Sequence, residues 1–185
     1  MQYQKTNFKD LIICSPTVHS DERGYFYESF HLKSFQDFTG LSPQFVQDNQ
    51  SRSGFGALRG LHFQTGKDAQ SKLVRVLEGE VLDVVVDLRK EEATFGKTFS
   101  IQLSAQNRKQ LFIPKGMAHG FITLTEYATF AYKCDAYYNS KSEGGIAYND
   151  TTLCIDWMLP SSNFIISEKD QKNHPFKDLP KDYLF

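Results

Sequence analysis

Lys72-Leu73-Val74-Arg75-Val76-Leu77-Glu78-Gly79-Glu80-Val81-Leu82-Asp83-Val84-Val85-Val86-Asp87-Leu88 is the stretch that decides the fold. Two runs rich in β-branched residues, Lys72 to Leu77 and Val81 to Leu88, flank the short connection Glu78-Gly79-Glu80. Such runs read as strands, and the glycine between them supplies the left-handed conformation of a tight hairpin. The second run alternates: Asp83, Val85 and Asp87 share one face, because successive side chains on a strand point to opposite sides. Two carboxylates beside a valine predict a strand with one wetter face.

The same pattern extends outward in both directions. Leu11 to Cys14, Tyr25 to Phe30, Phe45 to Asn49, Ala57 to Gln64, Thr98 to Leu103, Gln110 to Ile113, His119 to Leu124 and Ala128 to Ala136 are further short strand-like segments. Each ends near Gly, Pro, Asn or Asp, the residues that punctuate strands. Pro114-Lys115-Gly116-Met117-Ala118-His119-Gly120 reads as a second tight connection, delivering His119 to the start of the next strand. Many short strands with turn signals between them predict a sandwich or barrel, and both hairpins fit a jelly roll. Helical signals are few: Leu32 to Thr39, stopped by Gly40, and a possible opening at Ser167-Glu168-Lys169-Asp170. The expected architecture is all-β, a jelly-roll barrel with a few short peripheral helices. With no repeat, low-complexity tract or linker, residues 1–185 read as a single domain.

Composition narrows the function. A formal net charge of −1 carries no nucleic-acid or membrane signature. Cys14, Cys134 and Cys154 are odd in number and scattered, with neither metal-ligand spacing nor a disulfide framework. Together with a Met1 to Thr6 segment lacking an apolar signal core and no bilayer-spanning run, this makes a cytoplasmic location the expectation.

Ala57-Leu58-Arg59-Gly60-Leu61-His62-Phe63-Gln64 carries the first chemistry. Arg59 and His62 are an odd number apart and would normally face opposite ways on a strand. Gly60 predicts a bulge or kink that re-aims one of them into a shared concavity. A His-bearing β-barrel raises the question of a metal. Pro114, Gly116 and His119 have the cupin Pro-x-Gly-x-x-His spacing, but Gln64 stands where a second His ligand of the earlier cupin element would be needed. Two imidazoles and an amide make a poor shell for zinc or iron, so no metal is expected.

Read without a metal, His62 is the first candidate general base, since imidazole titrates nearest neutrality. A carboxylate on its other nitrogen would fix its tautomer; Asp83, Asp87 and Asp170 are the candidates, and spacing does not choose among them. Lys72 could face a developing oxyanion. Tyr132 can donate a phenolic proton. Arg23, Arg52, Arg59 and Lys169 are cations suited to phosphates. Each also has a structural reading: Tyr132 as a core aromatic, Asp170 as a carboxylate in a helical first turn, Lys72 as a solvated residue, Arg23 as a turn residue.

Taken jointly, these residues resemble one family, the dTDP-4-dehydrorhamnose 3,5-epimerases, metal-free cupin-type enzymes of deoxysugar nucleotide biosynthesis. The resemblance rests on Leu58 to Gln64, Lys72-Leu73-Val74-Arg75-Val76 and Ile113 to Phe121, with support from Asp21 to Glu28, Gln47-Asp48-Asn49, Tyr132-Lys133, Tyr137-Tyr138 and Ser167 to Asp170. Several blocks in the right order are far more specific than any one motif. The resemblance implies His62 as base, Asp170 as its carboxylate partner, Tyr132 as the opposing acid and Lys72 at the enolate oxygen. It further implies that Arg23, Glu28, Gln47, Asn49, Arg59, His119, Glu143 and Lys169 contact a dTDP-4-keto-6-deoxyhexose, with no cofactor. It also implies a homodimer whose N-terminal strands cross over, so that Arg23 and Glu28 serve the neighbouring site. Met117 and Tyr148 depart from the family's usual Phe and Trp. Related readings of the same residues are a single-position epimerase, a metal cupin and a non-catalytic sugar-nucleotide binder.

Overall fold

The computed structural model describes residues 1–185. In chain order the strands are β1 (Gln2–Lys5), β2 (Ile12–Ser15), β3 (His19–Asp21), β4 (Gly24–Phe26), β5 (Gln47–Gly54), β6 (Ala57–Gln64), β7 (Lys72–Glu78) and β8 (Glu80–Asp87). They continue with β9 (Thr98–Ser104), β10 (Gln110–Ile113), β11 (Met117–Thr123), β12 (Tyr127–Cys134), β13 (Glu143–Gly145) and β14 (Ile165–Ile166). The one α-helix, α1, spans Leu32–Thr39 as expected. His31 Nδ1 accepts from the Ser34 N–H at its start, and Gly40 closes it at φ 77°.

Two sheets face each other. One runs β1-β2-β10-β7-β12-β5; the other runs β13-β6-β11-β8-β9, with β14 added to β6. This is the jelly-roll arrangement anticipated from the hairpins. The β7–β8 turn has Gly79 at φ 74°, and a Cβ there would sit 2.0 Å from the Tyr127 carbonyl oxygen, so only glycine fits. Between the sheets lies an apolar core that includes Val74, Val76, Val81, Val85, Phe121 and Phe130. A second core, with Leu61, Phe63, Leu82, Val84, Ile146 and Trp157, glues the C-terminal segment to the outer face of the β6–β11–β8 sheet. A third packs Phe35 of α1 on Ile12, Leu73 and Phe112 of the opposite sheet.

Three expectations need correction. The wetter face predicted for β8 does not exist: every residue from Val81 to Asp87 is buried, Asp83 and Asp87 completely. β8 lies between β11 and β9, its outer face is covered by the second core, and each carboxylate has a partner inside. The helix expected to open at Ser167 is only a 3-10 turn, Asp170–Lys172. The strand expected from Tyr25 to Phe30 stops at Phe26, while β5 runs beyond Asn49 to Gly54. β5 pairs residue for residue with β12 along its whole length, and its polar side chains hide that strand from a hydrophobic pattern.

Candidate active site

A cleft of about 850 Å³ opens between the two sheets. β6 and β11 supply Arg59, His62 and His119 to one wall; β5, β7 and β12 supply Asn49, Lys72 and Tyr132 to the other. The segment after β14 adds Lys169 and Asp170.

The kink anticipated at Gly60 is present. His62 pairs with His119 and Arg59 with Phe121, so β6 advances three residues where β11 advances two. The extra residue is a bulge, and it brings Arg59 and His62 onto one cleft wall despite their odd spacing. Gly60 adopts φ 118°, and a Cβ on it would lie 2.6 Å from Gly120 Cα and 2.7 Å from the His119 carbonyl oxygen. A Cβ on Gly120 would lie 2.7 Å from the Arg59 carbonyl oxygen, so the close approach of the strands needs glycine on both sides. Ser53 of β5 holds Arg59 by accepting from its Nε at 3.0 Å.

Of the three carboxylates left open by spacing, Asp170 is the one that meets His62, with Nε2 and Oδ1 2.6 Å apart. Parallel pairing of β14 with Ala57 and Leu58 carries the chain back to β6, and Ser167 Oγ then accepts from the Asp170 N–H at 3.1 Å. Burial by itself would raise the Asp170 carboxyl. The hydrogen bond and charge of His62 and the Gly60 N–H on Oδ2 at 3.3 Å outweigh it, so the group lies below the usual carboxylate range. An ionised Asp170 accepts from His62 Nε2–H, which leaves Nδ1 as the basic nitrogen.

Asp83 pairs instead with the second imidazole, His119, Nε2 to Oδ2 at 2.9 Å. Asp87 lies away from the cleft, bound by Arg89 at 2.7 Å and Thr94 at 2.6 Å. Each cleft imidazole therefore has one nitrogen engaged by its own carboxylate, and no group of three His, Cys, Asp or Glu side chains converges as metal ligands. Burial pulls Lys72 below its ordinary value, with Cys134, Asp83 and Glu143 opposing. Burial also raises the Tyr132 phenol, so near neutrality it keeps its proton. Lys72 Nζ stands 6.0 Å from the Tyr132 ring centre.

The remaining expected residues fall into two places. Glu143 holds the rim by accepting from Lys169 Nζ and, at 2.7 Å, from the Tyr138 hydroxyl. Gln47 donates to Asn49 at 3.0 Å and accepts from the Tyr138 N–H at 2.9 Å, so it braces the rim behind the lining. Arg23 and Glu28 do not reach this cleft. Arg23 is on the exposed β3–β4 hairpin, paired with Asp21, and Glu28 follows it. Gln64, read as a lost ligand position, is buried and accepts from the Asn139 N–H at 2.8 Å, outside the lining. Met117 and Tyr148 pack in the two cores and do not line the cleft. The His119–Asp83 pairing was missed, although the alternation along β8 and the cupin-like placement of His119 together carried its signal.

Residues 5–178 match the family described as dTDP-4-dehydrorhamnose 3,5-epimerase. The enzyme of that name from Salmonella typhimurium is 52% identical over 83% of this chain and 84% of its own. The crystal structure of the Elizabethkingia anophelis enzyme is 54% identical with a TM-score of 0.94, covering 99% of both chains. That of the Legionella pneumophila epimerase, solved in complex with dTDP-4-keto-L-rhamnose, is 45% identical with a TM-score of 0.94 over 99% of this chain and 96% of its own.

Proposed function

This chain belongs to the dTDP-4-dehydrorhamnose 3,5-epimerase family, and from that premise we propose how its cleft works. The protein is an isomerase of dTDP-L-rhamnose biosynthesis that inverts C3 and C5 of dTDP-4-dehydro-6-deoxy-D-glucose to give dTDP-4-dehydro-L-rhamnose. Each inversion removes a proton alpha to the C4 ketone from one face of the sugar and returns one to the other. The observation that carries this reading is the placement of a carboxylate-anchored His62 and a protonated Tyr132 on opposite walls of one cleft.

His62 Nδ1 takes the proton, while Asp170 holds the ring and stabilises the imidazolium that forms. Negative charge then develops on the C4 oxygen. Lys72 and His119 are the fixed donors for it, and both lack any other partner on the cleft side. Tyr132 delivers a proton from the opposite wall. Arg59, Asn49 and Lys169 grip the remainder of the substrate, held in place by Gln47 behind Asn49 and by Glu143 on Lys169, and binding energy from the distant diphosphate positions the sugar. These side chains supply the whole acid–base set, so the reaction proceeds without a cofactor.

In this reading the molecule works in the cytoplasm as a homodimer with exchanged N-terminal strands. The β3–β4 hairpin supports that, since it lies away from its own cleft and exposes Tyr25 by 61% and Phe26 by 66%. Arg23 and Glu28 then complete the second copy's site. NMR identification of the product from the dTDP-4-keto-6-deoxyglucose substrate tests the assignment. Inversion at both carbons is expected; inversion at one carbon, or unreacted substrate, would overturn it.

A further inference from the structure

The cleft holds two His–Asp pairs that are alike in composition and unlike in surroundings. Asp170 accepts from His62 through Oδ1 and from the Gly60 N–H through Oδ2, so both oxygens have donors. Asp83 has one contact, Oδ2 with His119 Nε2, and its Oδ1 is buried with no partner at all. The Asp83 side chain is wholly inaccessible and the His119 side chain is 8% exposed, against 29% for His62. An ionised carboxylate with a bare buried oxygen is costly, whereas a carboxylic acid needs only one good acceptor for its proton. His119 Nε2 is placed to be that acceptor.

We propose that the Asp83–His119 pair is kept loaded with two protons, one shared between Asp83 Oδ2 and His119 Nε2 and one on His119 Nδ1. Asp83 is thereby a positioning residue: it fixes His119 as a donor toward the cleft, the opposite of the proton-accepting state that Asp170 imposes on His62. The charged and titratable groups facing the pair come from β6 and β7. His62 lies opposite His119 in register, with Asp170 on its Nε2, and Arg59 lines the same wall. Lys72 approaches Asp83 from β7, and Lys72 is in turn faced by Cys134 of β12 and Glu143 of β13. β12 also stacks the neutral Phe130 ring 6.0 Å from the His119 ring, and β11 and β9 place Phe121 and Ile101 opposite Asp83 in register. Burial raises the Asp83 carboxyl, in the same direction as the geometry. Environments that push two like pairs apart are how one site holds both a base and an acid. The proposal rests on the epimerase reading for the use of the donor, but the proton state itself belongs to the resting protein.

Nitrogen-15 NMR of the histidine-labelled wild-type protein at pH 7 reads it directly, with His119→Gln identifying the signal. A protonated Nδ1 on His119 is expected, and an unprotonated Nδ1 would overturn the proposal even if the enzyme were fully active. Asp83→Asn supplies the kinetic arm. An amide N–H can replace the acid O–H toward Nε2, so Nδ1 should stay protonated and kcat fall by less than about tenfold. Asp170→Asn should cost about 10²- to 10⁴-fold, the range for losing general-base catalysis. A folded Asp83→Asn protein as impaired as Asp170→Asn would also overturn it. Should that variant fail to fold, the wild-type spectrum still decides. Loss of the epimerase reading would show separately, as wild-type protein that turns over no substrate.

Discussion

The His62 imidazole and the Asp170 carboxylate, 108 residues apart in sequence, meet at 2.6 Å because β14 pairs in parallel with β6 and returns the chain to the cleft. The contact fixes which imidazole nitrogen is basic. Asp170→Asn leaves a neutral amide that can donate to Nε2 and put the proton on Nδ1, the nitrogen that must accept. We predict kcat lower by about 10²- to 10⁴-fold with KM little changed, measured on the purified variant by steady-state kinetics. A KM effect without a kcat effect would place Asp170 in binding instead.

Gly60 and Gly66 both have positive φ, at 118° and 58°, but their surroundings differ. A Cβ at Gly66 meets nothing within 4 Å, whereas at Gly60 it meets the Gly120 backbone at 2.6 Å. Gly66→Ala should cost roughly 1–2 kcal/mol from left-handed strain alone and leave activity intact. Gly60→Ala should cost more, because backbone must move, and should lose activity as the bulge that aligns Arg59 with His62 shifts. Urea unfolding of both variants beside kcat separates the two effects.

Acid stability should fall through the carboxylates held below their ordinary range, Asp87 and Asp170 among them. Burial opposes ionisation of Asp87, but hydrogen bonds from Arg89 and Thr94 outweigh it and hold the folded-state value below 3.8. The unfolded chain therefore binds these protons first as pH drops. The stability from each ionised carboxylate is complete above its unfolded value near 4 and is lost as pH falls through the lower folded value. Urea midpoints between pH 7 and pH 3 should decline most steeply below about pH 4. Asp87→Asn should lower the midpoint at pH 7 and flatten that decline; an unchanged acid limb would remove Asp87 from the account.

The three thiols should separate by burial. Cys14 is 2% exposed and Cys134 1%, and burial pushes them up to about 12 and about 11; Cys154 is exposed. Because thiolate is the reactive form, a thiol reagent at pH 8 should label Cys154 promptly and the other two only after unfolding. Mass spectrometry of native and denatured samples counts the labels. Prompt native labelling of Cys134 would mean that the region around Lys72 is more open than it stands here.

Much of this arrangement was legible in the chain. The β7–β8 hairpin, the α1 limits and the Gly60 bulge follow from local chemistry: β-branched runs, a left-handed glycine, and an Arg and a His at odd spacing. Asp170 was not reachable that way. Three carboxylates were equivalent by spacing, and only a parallel contact between segments over 100 residues apart separates them. Family resemblance named the carboxylate that meets His62, since it carries the record of such distant contacts. β8 misled for a related reason. Alternation identifies the face that carries Asp83 and Asp87, but whether that face is wet depends on what covers it. Here it faces the interior, so both carboxylates are paired inside rather than solvated. Arg23 and Glu28 are the reverse case, well placed in the family pattern yet remote from their own chain's cleft.

The most direct test of the central claim, one base at His62 and one acid at Tyr132 across the ring, is incubation with the 4-keto sugar nucleotide in heavy water. Wild-type protein should place deuterium at both C3 and C5 of an inverted product. His62→Ala should place it at neither, and Tyr132→Phe should lose more inversion than exchange. Deuterium entering at the wild-type rate in His62→Ala, or wild-type turnover with no deuterium at either carbon, would contradict the account.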